Sequence, residues 1–203
     1  MKKIYISDNA PLGERCNSWA KKNLPQNVQI AKNLEECDVF FSLFYNRIIP
    51  SKLITPNKNF FNFHAGILPQ YRGSGTINWA IINQEKETGI SLHKMDSGID
   101  TGDLIEIRKI SIDENDTAHS LFMKLEETAF LMFKFWFQRL ISAEFMSFPQ
   151  DNSLARTYSR DEMHKAKDLT RFVRAFEFLE LEKSYFYNKC GEKIYLSYEK
   201  NKS

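Results

Sequence analysis

The sequence is poor in cysteine and has no surplus of either charge. Its three cysteines, Cys16, Cys37 and Cys190, are odd in number and show no CxxC spacing, which argues against a disulfide framework, a zinc ribbon and a redox dithiol. Lys and Arg number 28 and Asp and Glu 26, a formal net charge of +2, so the concentrated positive charge of a nucleic-acid-binding protein is missing. We therefore expect a reducing compartment and no nucleic-acid partner.

The sequence also lacks a long apolar run. The most apolar stretch, residues 130–137, is interrupted by Lys134 and is far shorter than the roughly 20 residues of a membrane span. At the N-terminus, Asp8 follows too few apolar residues for a secretory signal. We expect a cytoplasmic protein without a membrane anchor. Its 203 residues, 42% of them hydrophobic, are enough to bury a core without disulfides.

Short apolar runs alternate with helix-compatible segments, a pattern that predicts an α/β fold. Strands followed by helices are typical of a Rossmann-like, doubly wound, mostly parallel sheet. Strands are predicted at residues 3–7, 28–31, 38–43, 59–64, 89–95 and 104–110, and helices at residues 12–24 and 76–83.

The second half of the sequence predicts a long helix and a small C-terminal extension. Asp116 or Thr117 can cap the helix, whose apolar positions run to Leu140 at helical spacing. Additional phenylalanines widen this stripe, so the helix is either covered on two sides by its own fold or contributes to a subunit interface. A helix near residues 168–178 and an aromatic β-hairpin, with strands at residues 185–187 and 194–198, follow. We divide the chain into a main domain, residues 1–145, and an extension, residues 146–203.

Asn62 and His64 are the first candidates for chemistry. They are two residues apart near the end of a predicted strand, so both side chains leave the same face of the sheet, where parallel α/β sheets bind ligands. An Asn amide can donate to a developing oxyanion, and a His can move a proton near neutral pH. Acids that could orient the imidazole, Asp96, Asp100 and Asp103, lie in a glycine-bearing loop. The spacing alone fits equally a structural His and ordinary turn residues.

Several longer motifs resemble the folate-dependent formyltransferases, the family of glycinamide ribonucleotide, methionyl-tRNA and sugar-nucleotide N-formyltransferases. They occur in family order and at family spacing between about residues 38 and 110. The motifs are N-F-H-A-G-I-L-P (62–69), Y-R-G (71–73), W-A-I (79–81), E-T-G (87–89) and M-D-S-G-I-D-T-G-D (95–103).

The resemblance implies transfer of a formyl group from 10-formyltetrahydrofolate to an amine, without a metal. The family's catalytic triad falls on Asn62, His64 and Asp100. The loop that receives the pterin ring falls on Met95, Asp96, Gly98, Ile99 and Asp103, although loop-capping hydrogen bonds are an equally good interpretation of Asp96 and Asp103.

Among the family, the sugar-nucleotide enzymes fit best. Residues 7–11 read S-D-N-A-P where the purine-pathway enzymes have a Gly-Ser-Asn phosphate loop, and the core is followed by about ninety residues without a concentrated basic face for tRNA. The resemblance therefore implies a nucleotide-linked, dTDP-type amino-dideoxyhexose as acceptor, for surface polysaccharide such as O-antigen and lipopolysaccharide. The alternatives are another small amine, a formyltetrahydrofolate hydrolase, and a non-catalytic nucleotide or folate binder.

Candidate acceptor-binding residues are Arg72, Asn78, Trp79 and Tyr158, although Trp79 and Tyr158 can equally be packing aromatics. His93 is either a donor at the edge of the site or a buried partner of a backbone group. By analogy with the sugar enzymes, and from the surplus of aromatic residues, we expect a homodimer that uses the aromatic hairpin or the phenylalanine-rich helix.

The sequence departs from the family pattern in three places. The segment before Asn62 is shorter than in most relatives, Thr76 stands at a position where many relatives have Pro, and Gly66 stands where Ser is common. None of these changes removes a member of the triad.

Overall fold

The computed structural model describes residues 1–7, 10–45, 47–165, 168–176, 185–187, 190 and 192–195. The strands are β1 (Lys2–Ile6), β2 (Val28–Ile30), β3 (Val39–Leu43), β4 (Asn59–Ala65), β5 (Arg72–Gly73), β6 (Glu87–Lys94), β7 (Leu104–Ser111), β8 (Thr157–Tyr158), β9 (Tyr185–Tyr187) and β10 (Lys193–Tyr195). The helices are α1 (Pro11–Lys22), α2 (Thr76–Ile82), α3 (Ala118–Ser142) and α4 (Leu169–Phe176), with short 3-10 turns at Ser51–Leu53, Asn152–Leu154 and Arg160–Lys165.

Within the described residues, the central sheet has the strand order β2-β1-β3-β4-β6-β7. Strands β2, β1, β3 and β4 are parallel, whereas β6 is antiparallel to both β4 and β7. The loop between β6 and β7 is shorter than the dozen or so residues that a parallel crossover requires, so β7 returns beside β6 in the opposite direction. The predicted α/β class with a mostly parallel sheet is confirmed.

Phenylalanines on alternate positions of the central strands build a core on each face of the sheet. Phe41 of β3 and Phe63 of β4 pack against Phe133 of α3, while Phe40 and Phe60 face the other side and contact each other edge to face. All five residues of β3 are buried, because a parallel strand in the middle of a sheet is covered on both faces.

Helix α3 is capped by Thr117, one of the two predicted caps. The Thr117 side chain accepts from the Ser120 amide and the Ser120 hydroxyl accepts from the Thr117 amide, a reciprocal capping box. Phe133 and Phe137 are fully buried, whereas Phe135 is 50% exposed. The broad apolar stripe of the sequence is thus largely used within the chain.

The segment after residue 145 folds back onto the main domain. Strand β8 pairs in parallel with β5, with Arg72 opposite Thr157 and Gly73 opposite Tyr158. Strands β9 and β10 form the predicted antiparallel hairpin, while the predicted ends of that hairpin at residues 196–198 and of the last helix at residues 177–178 lie outside the described residues. The division at residue 145 stays a prediction. In the described part of the chain, no helix is both long and apolar enough to cross a membrane.

Candidate active site

Asn62, His64 and Asp100 lie together at one face of β4. Asn62 and His64 are two residues apart on the strand, and both side chains reach Asp100 in the loop between β6 and β7, in agreement with the prediction that they leave the same face. Nδ2 of Asn62 donates to Oδ1 of Asp100 over 3.2 Å, and Nδ1 of His64 lies 3.5 Å from Oδ2 of the same carboxylate. The three residues proposed for catalysis from the resemblance therefore form one cluster.

The amide of Asn62 is oriented by Ser42, its register partner on β3. The Ser42 hydroxyl donates to Oδ1 of Asn62 over 2.7 Å, so the amide nitrogen faces Asp100 and also lies 3.2 Å from Nε2 of His93. Ser42 is 3% exposed. The carboxylate of Asp100 can only accept, so it assigns the donor end of Asn62 to the site, and the buried Ser42 hydroxyl holds the other end.

The protonation state of His64 follows from its neighbours. Its Nε2 lies 2.5 Å from the carbonyl oxygen of Tyr71, which can only accept, so Nε2 carries a proton. Nδ1 holds a second proton only when the imidazole is charged, and only then is its contact with Asp100 an ion pair. Burial lowers the pKa of His64, although Asp100 opposes this effect, so we assign the neutral imidazole at neutral pH.

Asp100 is held in its carboxylate form. Burial by itself would raise the pKa of Asp100, but the positive charge of the His64 imidazole in its protonated form, the contact with His93 and the Gly73 amide outweigh this and lower it. The Gly73 amide donates to Oδ2 over 2.9 Å. Gly73 has φ +93°, and a Cβ there would lie 2.2 Å from the backbone oxygen of Tyr158, so this donor position requires glycine. Asp100 itself has φ +53°, in the left-handed region.

Of the two roles that the sequence left open for His93, the structure shows the buried partner of a backbone group. Its Nδ1 lies 2.7 Å from the carbonyl oxygen of Lys94, a backbone contact that assigns the proton to Nδ1. Its Nε2 lies between Nδ2 of Asn62 and, at 3.5 Å, Oδ1 of Asp100. His93 is 2% exposed and is thus the buried neighbour of Asn62 and Asp100 in the cluster.

The residues proposed for folate binding occupy the loop around Asp100, and they differ in what they contact. Asp96 is used within the loop, because Oδ1 accepts from the Gly98 amide and from the Thr101 hydroxyl. Asp103 accepts from the Ser147 hydroxyl over 3.3 Å. Gly98 is exposed, Ile99 is 63% exposed, and half-buried Met95 packs against the smaller core cluster.

Two of the residues proposed for acceptor binding, Arg72 and Asn78, form side-chain hydrogen bonds with residues after position 145 rather than with the triad. The guanidinium of Arg72 is buried and donates to Oε1 of Gln150 and to Oδ1 of Asn152. Asn78 donates to the carbonyl oxygen of Ala175 on α4, so both side chains link the extension to the main domain.

Trp79 and Tyr158 belong to an aromatic cluster beside the site. The Tyr158 ring stacks on Tyr71 with ring centres 4.8 Å apart and lies 5.2 Å from Trp79. The indole of Trp79 donates to the carbonyl oxygen of Ser159. Tyr158 is only half-buried, so part of its ring is accessible.

Sequence reasoning missed Ser42, Tyr71 as the backbone partner of His64, and Gln150. Ser42 stands twenty residues before Asn62 on another strand, and no local pattern indicates their pairing. Gln150 follows a single proline in an irregular segment, which carries no signal of a contact with Asp100.

The cluster provides donors for an oxygen that gains negative charge, beside a group that can move a proton. The Asn62 amide and Nε2 of His64 are the donors, and the Asp100 carboxylate can orient and stabilise a charged imidazole. Among the described residues there is no group of three or more His, Cys, Asp or Glu side chains placed to hold a metal ion. The geometry supports acyl-group chemistry.

Comparison with known proteins identifies relatives with two kinds of acceptor. The chain is 47% identical over 105 residues to a methionyl-tRNA formyltransferase from Caldanaerobacter subterraneus subsp. tengcongensis, covering 51% of this chain and 34% of that protein. It is 41% identical over 133 residues to a GDP-perosamine N-formyltransferase from Brucella melitensis, covering 59% and 51%. The chain thus spans about half or less of the length of the curated relatives it matches.

Solved structures share the fold over almost the whole chain. A sugar N-formyltransferase from Shewanella sp FDAARGOS_354 has a TM-score of 0.84 and 20% identity, covering 98% of this chain and 97% of that one. The sugar 3N-formyltransferase WlaRD, solved in the presence of dTDP and 5-N-formyl-THF, has a TM-score of 0.77 and 25% identity, covering 92% and 83%.

The family model described as "Formyl transferase" matches residues 7–133. This span contains most of the central sheet and all of the Asn62, His64 and Asp100 cluster. With the fold and the cluster described above, this match shows that the chain belongs to the formyl transferase family.

Proposed function

We propose that the protein transfers the formyl group of 10-formyltetrahydrofolate to the amine of a nucleotide-linked amino-dideoxyhexose. The observation that carries the proposal is the convergence of Asn62, His64 and Asp100. The three groups come from β4 and from a loop separated from it in sequence, and a protein that only binds folate or a nucleotide has no chemical need for all three.

Each member of the cluster has a distinct task. Nδ2 of Asn62 and Nε2 of His64 donate hydrogen bonds to the formyl oxygen as the acceptor nitrogen bonds to the formyl carbon. To do so, Nε2 of His64 exchanges its contact with the Tyr71 carbonyl oxygen for one with the substrate. Nδ1 of His64, which carries no proton in the neutral imidazole, accepts the proton that the acceptor amine loses, and the Asp100 carboxylate stabilises the charged ring. His64 then gives this proton to the folate nitrogen as the bond between that nitrogen and the formyl carbon breaks. When bound, the folate supplies the activated formyl group.

The donor set around the loop fits a folate. Residues 96–99 are exposed, and Gly98 has no side chain, so a ligand can approach the backbone there. The Gly98 amide is used by Asp96, and other peptide groups of the loop are suitable partners for the polar edge of a pterin. Ile99 and the accessible part of half-buried Met95 offer apolar surface. We propose that Met95, Asp96, Gly98, Ile99 and Asp103 form this subsite.

A sugar nucleotide is supported as acceptor by two relatives. One curated relative, 41% identical, acts on GDP-perosamine, and WlaRD was solved with dTDP. The accessible part of Tyr158 is a candidate stacking surface for the base. Arg72, Asn78 and Trp79 are then proposed to shape the acceptor pocket, from the positions in which their polar groups are already hydrogen-bonded. A dTDP-linked sugar and a role in surface polysaccharide synthesis complete the proposal.

The test is an assay of the full chain with 10-formyltetrahydrofolate and a panel of dTDP-, GDP- and UDP-linked amino sugars, followed by mass spectrometry. We expect the mass of one panel member to rise by about 28 Da, because a formyl group replaces a hydrogen, and we expect tetrahydrofolate to be released. The His64→Asn variant is the matched inactive control. Formate released without an acceptor would indicate a hydrolase, and formylation of methionyl-tRNA or glycinamide ribonucleotide but no sugar would overturn the acceptor.

A homodimer and a cytoplasmic location stay part of the proposal. Exposed Met123, Leu131 and Phe135 on α3 and exposed Ile194 and Tyr195 on β10 are apolar surface that a second copy can cover. Light scattering of the full chain at working concentration checks the dimer, and a monomer mass contradicts it.

A further inference from the structure

Gln150 contacts the loop that carries Asp100. In sequence it lies outside residues 7–133, the span that the family model matches. It belongs to the irregular segment between α3 and the 3-10 turn at Asn152–Leu154. Its side chain is 8% exposed and uses its whole hydrogen-bonding capacity. Such a fully satisfied buried amide points to a defined structural task.

The amide nitrogen of Gln150 holds the backbone of the loop. It donates to the carbonyl oxygen of Asp100 over 2.9 Å and to that of Gly102 over 2.7 Å. These two carbonyls are on either side of Thr101, at the point where Asp100 adopts its left-handed φ of +53°. Both donors of one side chain therefore stabilise a backbone conformation that a non-glycine residue seldom adopts.

The amide oxygen of Gln150 reaches the other support of the Asp100 carboxylate. It accepts from Nε and Nη2 of Arg72, at 3.1 and 2.8 Å. Arg72 directly precedes Gly73, whose amide donates to Oδ2 of Asp100. One side chain thus connects the backbone of Asp100 with the strand that binds its carboxylate.

The neighbours of Gln150 fasten the same segment to the loop. Phe148 and Leu104 exchange both backbone hydrogen bonds, each over 2.8 Å, and the Ser147 hydroxyl donates to Asp103. The segment therefore follows the loop from its end at Leu104 back to Asp100.

From these contacts we propose that Gln150 is a positioning residue that sets the distance between Asp100 and His64. The inference rests on the proposed function for its kinetic consequence, but the geometry it concerns is independent of any substrate. Without the amide donors, the loop carbonyls lose their partners and Asp100 relaxes away from Nδ1 of His64, which lies 3.5 Å from it.

The test compares wild type, Gln150→Met and Asn152→Ala in two measurements. Gln150→Met keeps the side-chain length and removes both donors and the acceptor. Asn152→Ala, the matched control, removes another partner of Arg72 without touching the loop. The first measurement is the titration of His64 by NMR, assigned with His64→Asn, and the second is kcat and KM with the acceptor that the wild type uses.

We expect Gln150→Met to lower the pKa of His64, because the nearby carboxylate that favours the charged imidazole has moved away. We expect its kcat to fall at least about tenfold with KM changed less than about twofold, the pattern of a misplaced catalytic group. Asn152→Ala should match wild type in both. Wild-type titration and kcat in Gln150→Met, with only a lower melting temperature, would overturn the inference.

A second variant covers the case in which Gln150→Met does not fold. Gln150→Glu keeps the shape and the contact with Arg72 but presents oxygens to the two loop carbonyls, so kcat should again fall; an unchanged kcat there would overturn the inference. If the wild type formylates no acceptor, the proposed function fails, while the titration of His64 still decides the role of Gln150.

Discussion

The hydroxyl of Ser42 donates a 2.7 Å hydrogen bond to Oδ1 of Asn62. The two residues are register partners on adjacent parallel strands, so their side chains leave the same face of the sheet. Because the Asp100 carboxylate on the opposite side can only accept, the nitrogen of Asn62 faces the site and its oxygen is held by Ser42.

The first prediction concerns Ser42→Ala. Without the hydroxyl, the oxygen of the Asn62 amide loses its hydrogen-bond partner and the side chain is held less firmly, so we expect kcat to fall about five- to tenfold, corresponding to the net value of one hydrogen bond. KM should change little. Steady-state kinetics check this, with Ser142→Ala as control, because the Ser142 hydroxyl only caps an exposed carbonyl at the end of α3. Equal kcat in both variants would contradict the assigned role.

The second prediction concerns Asp100→Asn. We expect turnover to fall at least about 100-fold, since the variant can no longer stabilise a charged His64. The pKa of Asp100 is lowered in the folded chain, so its stabilising effect is complete above the unfolded value of about 3.9 and is lost as the pH falls through the folded value. The difference in unfolding free energy between wild type and Asp100→Asn should therefore narrow on acidification below about pH 4. Urea unfolding at a series of pH values measures it, and a constant difference would disprove the assignment.

The third prediction concerns His64, whose pKa is lowered by burial. As the pH falls through the unfolded value of about 6.5, the unfolded chain binds a proton that the folded chain does not, so the wild type loses stability at up to about 1.4 kcal/mol per pH unit. His64→Asn lacks this loss. Unfolding free energies at pH 7 and pH 5.5 should therefore shift in favour of the variant at the lower pH; a parallel fall in both proteins contradicts the prediction.

The fourth prediction concerns Gly73→Ala. A Cβ there would lie 2.2 Å from the backbone oxygen of Tyr158, and φ is +93°. We expect a loss of more than about 1 kcal/mol in unfolding free energy, together with reduced turnover as the amide donor to Asp100 moves. Ser74→Ala, at the exposed neighbouring position, removes the acceptor of the Arg160 amide but leaves the Gly73 amide in place, so it should retain turnover. Thermal unfolding and kinetics at a temperature where both variants are folded separate the two effects.

The parts of the site that the sequence predicted are those governed by local periodicity or by long motifs. Asn62 and His64 follow from the alternation of a strand, and Asp100 from the resemblance of residues 95–103. Gln150 and Ser42 depend on contacts between segments far apart in the chain, and these follow only from the assembled sheet. The inward direction of the Arg72 guanidinium could not be predicted from the sequence either, because an arginine next to a glycine turn can bind a ligand or a neighbouring loop.

The fold was predicted at the level of elements and of a mostly parallel sheet. The pairing of β5 with β8 could not be foreseen, because strands of two residues have no periodicity to detect. The antiparallel direction of β6 could not be predicted either. It depends on the end of the sheet from which the segment between β4 and β6 returns, and tertiary packing decides this.

The complete burial of β3 has a consequence for how the protein opens. Amide protons of β3 and of its neighbour β4 lie in the best-covered part of the sheet, whereas β7 at the edge is only partly covered. Hydrogen exchange should therefore be slowest where Asn62 and His64 are anchored and faster in the loop that carries Asp100. A local fluctuation of that loop can interrupt turnover while the rest of the sheet stays protected, so heat or denaturant should abolish activity before the slowest amides begin to exchange.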